Sequence, residues 1–257
     1  MREYLSDESK TVRIESAKGI LEVGSPDEFL SLSVLLDAAD IGVRVALAQM
    51  LREKKDDSVI GLLGRLSKDK AVSVRFAAAQ SLGRIGTLRS AYALLGLLDK
   101  KHPELKEEIK RNLASRLGIK PSEVPEKETM MLRWRGLVVK EYKDVTSIAK
   151  LGEDSYSIAV LSAICERVDL DVKLRAVAAA HLAKREPNHL LDYIEHFVKE
   201  GEKIDNGYGI DRLLALMSVD SLVAVGFENL SEHLESFLGI CSDELFRRKI
   251  ETVLQKR

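Results

Sequence analysis

The sequence predicts an all-α protein, an α-solenoid in which antiparallel helix pairs stack into a superhelix, with an irregular insertion in the middle. Three observations carry that expectation. A segment built around an arginine recurs at a step of 31 residues, at Arg13, Arg44 and Arg75. Between successive copies lies a second apolar run of helical period, so each step holds two helices of about three turns with short connections. Strand signals are missing: no stretch alternates apolar and polar residues, and aromatics are 5% of the chain.

The recurring segment reads "TVRIESAKGILEVG" at 11–24, "GVRVALAQMLRE" at 42–53 and "VSVRFAAAQSLGRIG" at 72–86. Its register extends to Val12, Val43 and Val74 before the arginine, to Ala17, Ala48 and Ala79, and to Ile20, Leu51 and Leu82. The third copy is small and apolar almost all round, whereas a surface helix needs a single apolar stripe. A helix held between its own partner and both neighbouring repeats has several inward faces. Ala77, Ala78 and Ala79 would then let neighbours approach at the short end of the usual range of about 8–10 Å. The intervening runs are "PDEFLSLSVLLDAA" at 26–39, "DDSVIGLLGRLSKD" at 56–69 and "TLRSAYALLGLLDKK" at 87–101. Each opens on Pro, Asp or Thr, residues suited to a helix start. A fourth step lands on Lys106, where Leu105, Ile109 and Leu113 keep the spacing and the small residues are lost. The pattern returns around Arg175 in "DVKLRAVAAAHLA" at 171–183.

An aspartate stands six residues before three of these arginines: Asp7, Asp69 and Asp169. Six residues turn through about 240° of an ideal helix, so the two side chains share no face. The aspartate is expected to cap its own helix or the preceding turn. The arginine is expected to reach the corresponding aspartate, or a loop carbonyl, of an adjoining repeat. The pattern Asp-x4-Val/Leu-Arg-x3-Ala-x2-Leu resembles the HEAT repeat, most closely the short variety of phycobilisome-lyase-like proteins, over residues 7–101 and again over 169–200. The resemblance implies an inter-repeat hydrogen-bond ladder made by Asp7, Arg13, Arg44, Asp69, Arg75, Asp169 and Arg175, structural in role. The second copy departs from it. Ala38 holds the position of the acid, flanked by Asp37 and Asp40, so the ladder is expected to be broken or shifted there.

From Gly118 to Asp144 the repeat disappears, and Pro121 and Pro125 impose a loop before a helix expected near Glu126. The organisation expected is N-terminal repeats over 1–118, an irregular connecting segment over 119–153 and further helical repeats over 154–257, in one continuous solenoid. Trp134, the single tryptophan, lies between Arg133 and Arg135. It either fills the space where two imperfect sub-stacks meet or anchors a partner, and in the second reading Arg133, Trp134 and Arg135 are the partner-binding residues. Apolar periodic segments follow at 154–167, 170–185, 188–200 and 206–225. The last segment, 242–256, would be N-capped by Ser242, with Arg247, Arg248 and Lys249 balanced by Asp243, Glu244 and Glu251 on a solvated capping face.

Bulk properties narrow the function. A chain of 257 residues with net charge -1 has no global attraction for phosphate or anionic lipid. It lacks a long apolar run, its N-terminus is charged, and its two cysteines, Cys165 and Cys241, read as small buried apolar residues, all of which fit a cytoplasmic protein. Three glutamines and four asparagines beside abundant Lys, Arg and Glu resemble proteins of hot-living organisms. His189, Asp192 and His196 share a helix face, but two turns separate the histidines by about 10.5 Å, too far to grip one ion. The His-Glu dipeptides of HEAT-like metal-dependent hydroxylases are absent, as are phosphate-cradling and nucleophile-elbow motifs, so neither metal nor cofactor is expected and catalysis is disfavoured. The leading expectation is a non-catalytic scaffold or adaptor that receives a protein or peptide on the concave face of the solenoid, with no membrane partner. The alternatives are a nucleic-acid-binding protein resembling alkyl-base DNA glycosylases, for which Trp134 is the sole support, and a bilin-lyase-like chromophore-handling protein.

Overall fold

In the computed structural model, which describes residues 2–54, 56–98 and 103–256, each arginine of the 31-residue column stands in the first turn or so of a helix. The chain divides into two units, Met1–Trp134 and Arg135–Arg257. In the first, α1 (Lys10–Val23) is followed by α2 (Pro26–Phe29), α3 (Ile41–Leu51), α4 (Asp57–Leu66), α5 (Val72–Ile85), α6 (Leu88–Leu97) and α7 (Lys106–Leu117). Helix α8 (Lys127–Glu141) contains the boundary between the units. The first helices of successive repeats, α1, α3, α5 and α7, pack on one another, and α5 also packs on α4 and α6.

This packing answers why α5 is so small. Val74, Arg75, Ala77, Ala78, Ala79, Ser81, Leu82 and Ile85 are all buried, covering most directions around the helix. Its polar groups are satisfied across the stack, Ser81 Oγ donating to Ala48 O at 2.7 Å. Gly83 is required by close approach, because a Cβ there would overlap Asn112 of α7. Gly86, at φ 65°, closes the helix in the left-handed conformation that glycine adopts without penalty.

Second helices begin where capping residues stand. Asp56 accepts from Ser58 N–H and Thr87 from Ser90 N–H, while Ser25 and Glu28 form a reciprocal capping box before Pro26. One expected helix differs. The run at 26–39 is α-helical only to Phe29 and continues as a 3-10 helix over Leu30–Asp37. Within it Ser31 Oγ donates to Glu28 O at 2.6 Å, a local bond of the kind that competes with the α-helical ladder. The final residues of the run expected at 87–101 lie outside the described residues.

In the second unit, α9 (Val145–Ala149), α10 (Ser155–Glu166), α11 (Val172–Arg185) and α12 (Pro187–Glu200) precede a hairpin, β1 (Lys203–Asp205) and β2 (Tyr208–Ile210). Then come α13 (Arg212–Ala224), α14 (Leu230–Leu238) and α15 (Glu244–Gln255). Helix α11 is the counterpart of α5, packed against α10, α12 and α13. The hairpin corrects the expectation that strands are absent. Asn206 and Gly207 both take positive φ, 52° and 78°, as a two-residue hairpin turn requires, and the Asn-Gly pair is the sequence signal for it. The cap of α15 is also corrected: Asp243, not Ser242, accepts from Phe246 N–H. Both units are stacks of helix pairs, the second with one short hairpin, and the fold class is an all-α solenoid.

Candidate functional site

The arginines of the column share one local geometry. Nη1 of Arg13 donates to the carbonyls of Asp7 and Glu8 at 2.6 and 3.0 Å. Nη1 of Arg44 does the same to Ala38 and Ala39, and Nη1 of Arg75 to Asp69 and Lys70. Each arginine thus ties down the turn five and six residues before it through main-chain oxygens, which a sidewise turn of the helix places within reach of a long side chain. Its remaining N–H groups face the next repeat. Arg44 Nε and Nη2 hold the Asp69 carboxylate at 2.7 and 3.1 Å, and Asp69 in turn accepts from Ala71 N–H. Arg75 takes Glu104 in the same direction. Burial pushes the Asp69 carboxyl up, but its bonds from Arg44 and Ala71 N–H prevail and hold it below the ordinary range, while Arg44 is raised above its own.

Two predicted positions differ from the rest. Arg13 has no acid ahead of it, since Ala38 stands 25 residues on, where Asp69 stands for Arg44, and Arg13 Nε is buried without a hydrogen-bond partner. Asp7 caps its own turn, accepting from Ser9 N–H at 2.8 Å. In the second unit Asp169 does not take Arg175. It pairs with Arg167, two residues away in the same turn, and the carboxylate on Arg175 is that of Asp211, held bidentately at 2.9 and 2.8 Å. Arg175 is 1% exposed and also donates to Cys165 O at 2.9 Å. Asp211 is raised by burial but lowered more by Arg175 and Leu214 N–H, with a net depression. The same step recurs in Arg212, which binds Asp243 at 2.7 Å. Glu104, Asp211 and Asp243 were missed by the sequence reading because the acid sought was six residues before the arginine. The signal that finds them is an acid opening the following first helix.

Trp134 is 3% exposed, its indole N–H donating to Leu88 O at 3.0 Å and its ring 5.0 Å from Tyr92. An anchor so enclosed offers no ring face to a partner or a base, which corrects the reading of Trp134 as an exposed contact. Arg133 is exposed, and Arg135 pairs with Glu166 at 2.6 Å. His189 Nε2 lies 3.1 Å from both Ser162 Oγ and Tyr193 OH, and Tyr193 donates to Glu166, so this histidine belongs to a polar network inside the second unit. His196 contacts Glu200 instead. Among the described residues no three His, Cys, Asp or Glu side chains converge as a metal site would need, and no helix is long and apolar enough to cross a membrane. Cys165 and Cys241 are free and buried, and burial drives the Cys165 thiol far up.

The second helices of the first unit carry open glycines. Gly61 and Gly64 on α4 sit inside the helix and Gly96 lies in the last turn of α6, yet a Cβ added at any of them would meet no atom within 4 Å, as is also true of Gly136 on α8. Neither backbone conformation nor packing asks for glycine there, and each glycine costs about 1 kcal/mol relative to alanine in a helix interior. On the preceding 3-10 segment Leu30 and Val34 are 55% and 48% exposed. Open glycines on two second helices and exposed aliphatic side chains on the one before them thus occur in three consecutive repeats of the first unit.

Comparison with known proteins adds one match. Residues 29–114 fit the family model described as HEAT repeats, a stretch that holds the second and third arginine helices with their neighbours. No curated protein matches the chain. With two stacked arginine helices inside the matched stretch, the chain carries HEAT repeats over residues 29–114.

Proposed function

We propose that the chain is a non-catalytic interaction scaffold of the cytoplasm that receives a protein or peptide partner on the face carried by its second helices. The observation that carries this reading is the set of three second-helix glycines, Gly61, Gly64 and Gly96, with open space above them. A fold selected for its own stability would place alanine at such positions. Bare backbone is favoured where another chain must come close, as small residues permit closer helix approach. HEAT repeats commonly act as protein-interaction scaffolds, which agrees with this reading.

The test uses Gly64→Leu/Gly96→Leu, since leucine favours helix and the positions have room, so the variant keeps its fold. Affinity capture from the native source with wild-type protein is expected to retain a partner that the variant loses. Capture of the same proteins in the same yield by the variant would overturn the assignment of the face.

A further inference from the structure

A pocket of about 370 Å³ opens between two successive turns of the first unit, 36–39 and 65–70. Its apolar wall is Leu36 and Leu66, both buried, with Ala38 and Ala39 keeping the near turn small. Its charges are unequal. Arg44 and Asp69 line it too, but they neutralise each other, and Asp69 is further occupied by Ala71 N–H. What remains is Asp37 against Arg65, Lys68 and Lys70, all exposed. Among the described residues none of these three cations has an ion-pair partner. Nothing in the fold uses them: the carbonyls of this turn are already taken by Arg44 and Arg75.

We propose that this pocket binds an acidic peptide segment, seating a glutamate or aspartate side chain with its methylene stem on Leu36 and Leu66 and its carboxylate among Arg65, Lys68 and Lys70. A carboxylate on a short aliphatic stem matches an apolar floor with a cationic rim. A phosphate dianion would bring more charge against Asp37 and leave the apolar wall unused. A nucleic-acid strand needs a basic track longer than one pocket, and the chain as a whole carries a net charge of -1. The site lies at the turns, and Gly96 is on the second-helix face, so its fate is separable from that of the scaffold reading.

The probe is end-labelled hexaglutamate, followed by fluorescence anisotropy with the full chain at low and moderate salt, against hexaglutamine. Hexaglutamate is expected to bind and to weaken as salt rises, while hexaglutamine stays unbound. Lys68→Gln/Lys70→Gln should weaken binding by about fivefold or more, on the usual worth of two exposed charges. Lys18→Gln/Lys173→Gln, exposed lysines elsewhere, and Gly96→Leu should leave it unchanged. Equal weakening by the distant pair would show diffuse attraction and overturn the proposal. So would absence of binding at low salt, displacement by equimolar inorganic phosphate, or tighter binding of labelled single-stranded DNA through Lys68 and Lys70.

Discussion

Installing an acid at the one position where the arginine column lacks it, Ala38→Asp, should stabilise the first unit. Arg13 Nη1 is satisfied by the Asp7 and Glu8 carbonyls, but Nε is buried without a partner. Arg44 makes the same two carbonyl bonds and in addition binds Asp69, 25 residues ahead, with both groups 12% exposed or less at the side chain. Residue 38 is 25 ahead of Arg13 and reaches the same point of its turn: Ala38 N–H bonds Leu35 O as Asp69 N–H bonds Leu66 O. Its φ of -56° and ψ of 133° suit any L residue. An orphaned buried donor costs about 1–3 kcal/mol, and a hydrogen bond to a charged group returns about 1.5–3 kcal/mol. Against this stand about 0.5–1 kcal/mol of side-chain entropy and repulsion from Asp37 and Asp40 nearby. The net gain should be about 1 kcal/mol, or about 2–4 °C in Tm for a domain of 150 or more residues.

Trp134, the single tryptophan, lies in the first unit and reports its unfolding, so urea titration followed by Trp134 fluorescence measures the effect on that unit. The Arg13→Met background completes a double-mutant cycle. The gain should vanish there, and it should fade as pH falls below about 4, where a paired aspartate takes up its proton. No gain, or the same gain with Arg13 replaced, would refute the assignment of residue 38 as the vacant rung.

Arg175→Met removes one partner of a pair whose arginine is 1% exposed and strands Asp211, so it should destabilise the second unit by about 3–5 kcal/mol, against little change for exposed Lys173→Met, by thermal denaturation. The carboxyls of Asp69 and Asp211 are depressed in the folded state, so the stability they supply is present above the ordinary carboxylate pKa and lost as pH falls through their folded values. Asp69→Asn and Asp211→Asn should each flatten the dependence of the urea midpoint between pH 3 and 6, values that bracket the ordinary carboxylate pKa of about 4. Gly61→Ala, Gly64→Ala and Gly96→Ala should each raise stability by about 0.5–1 kcal/mol, whereas Gly83→Ala should lower it, because its Cβ meets Asn112. Stabilisation at Gly83, or none at the other three, would refute the distinction between packed and open glycines. Cys165, with its thiol buried and driven far up, should resist a thiol reagent until the second unit unfolds, read as the labelling rate against urea.

Helix positions were legible because the signals were local. The arginine register, the caps Asp56 and Thr87, and the alanines of α5 each declare themselves within one turn. The 3-10 course of Leu30–Asp37 was not legible, since its residues are as apolar and as evenly spaced as those of α4. The hairpin was legible in principle in Asn206-Gly207, but its strands are three residues each, too short to show alternation. Of the two readings open for Trp134 the structure fits the enclosed side chain, because on a helix adjacent residues point about 100° apart and one can be enclosed between exposed or half-buried arginines. The open glycines could be seen in the sequence but not interpreted: Gly83 and Gly96 look alike until the neighbouring helix is in place.

The arginine column itself shows which spacings a stack of helix pairs must hold and which it can let go. Arg13, Arg44 and Arg75 all take carbonyls five and six residues behind them, because the turn and the helix that follows are one rigid piece. The acid ahead obeys no such count: it lies 25 residues on for Arg44, 29 for Arg75, 36 for Arg175 and 31 for Arg212. Between arginine and acid run a second helix and its connections, and extra length there is taken up without moving the pair, as by the β1–β2 hairpin between Arg175 and Asp211, which folds back on the turn before α11 through Val168 N–H to Gly207 O. What the acids share is position relative to the next first helix. Asp211 and Asp243 accept from its opening N–H groups, and Asp69 from Ala71 N–H just before α5. One carboxylate therefore satisfies a helix start and an arginine of the preceding repeat together, so helix initiation in one repeat is coupled to packing of the one before. An insertion in the connection after a second helix's midpoint should be tolerated, whereas one inserted residue between Asp69 and Arg75 would break both bonds.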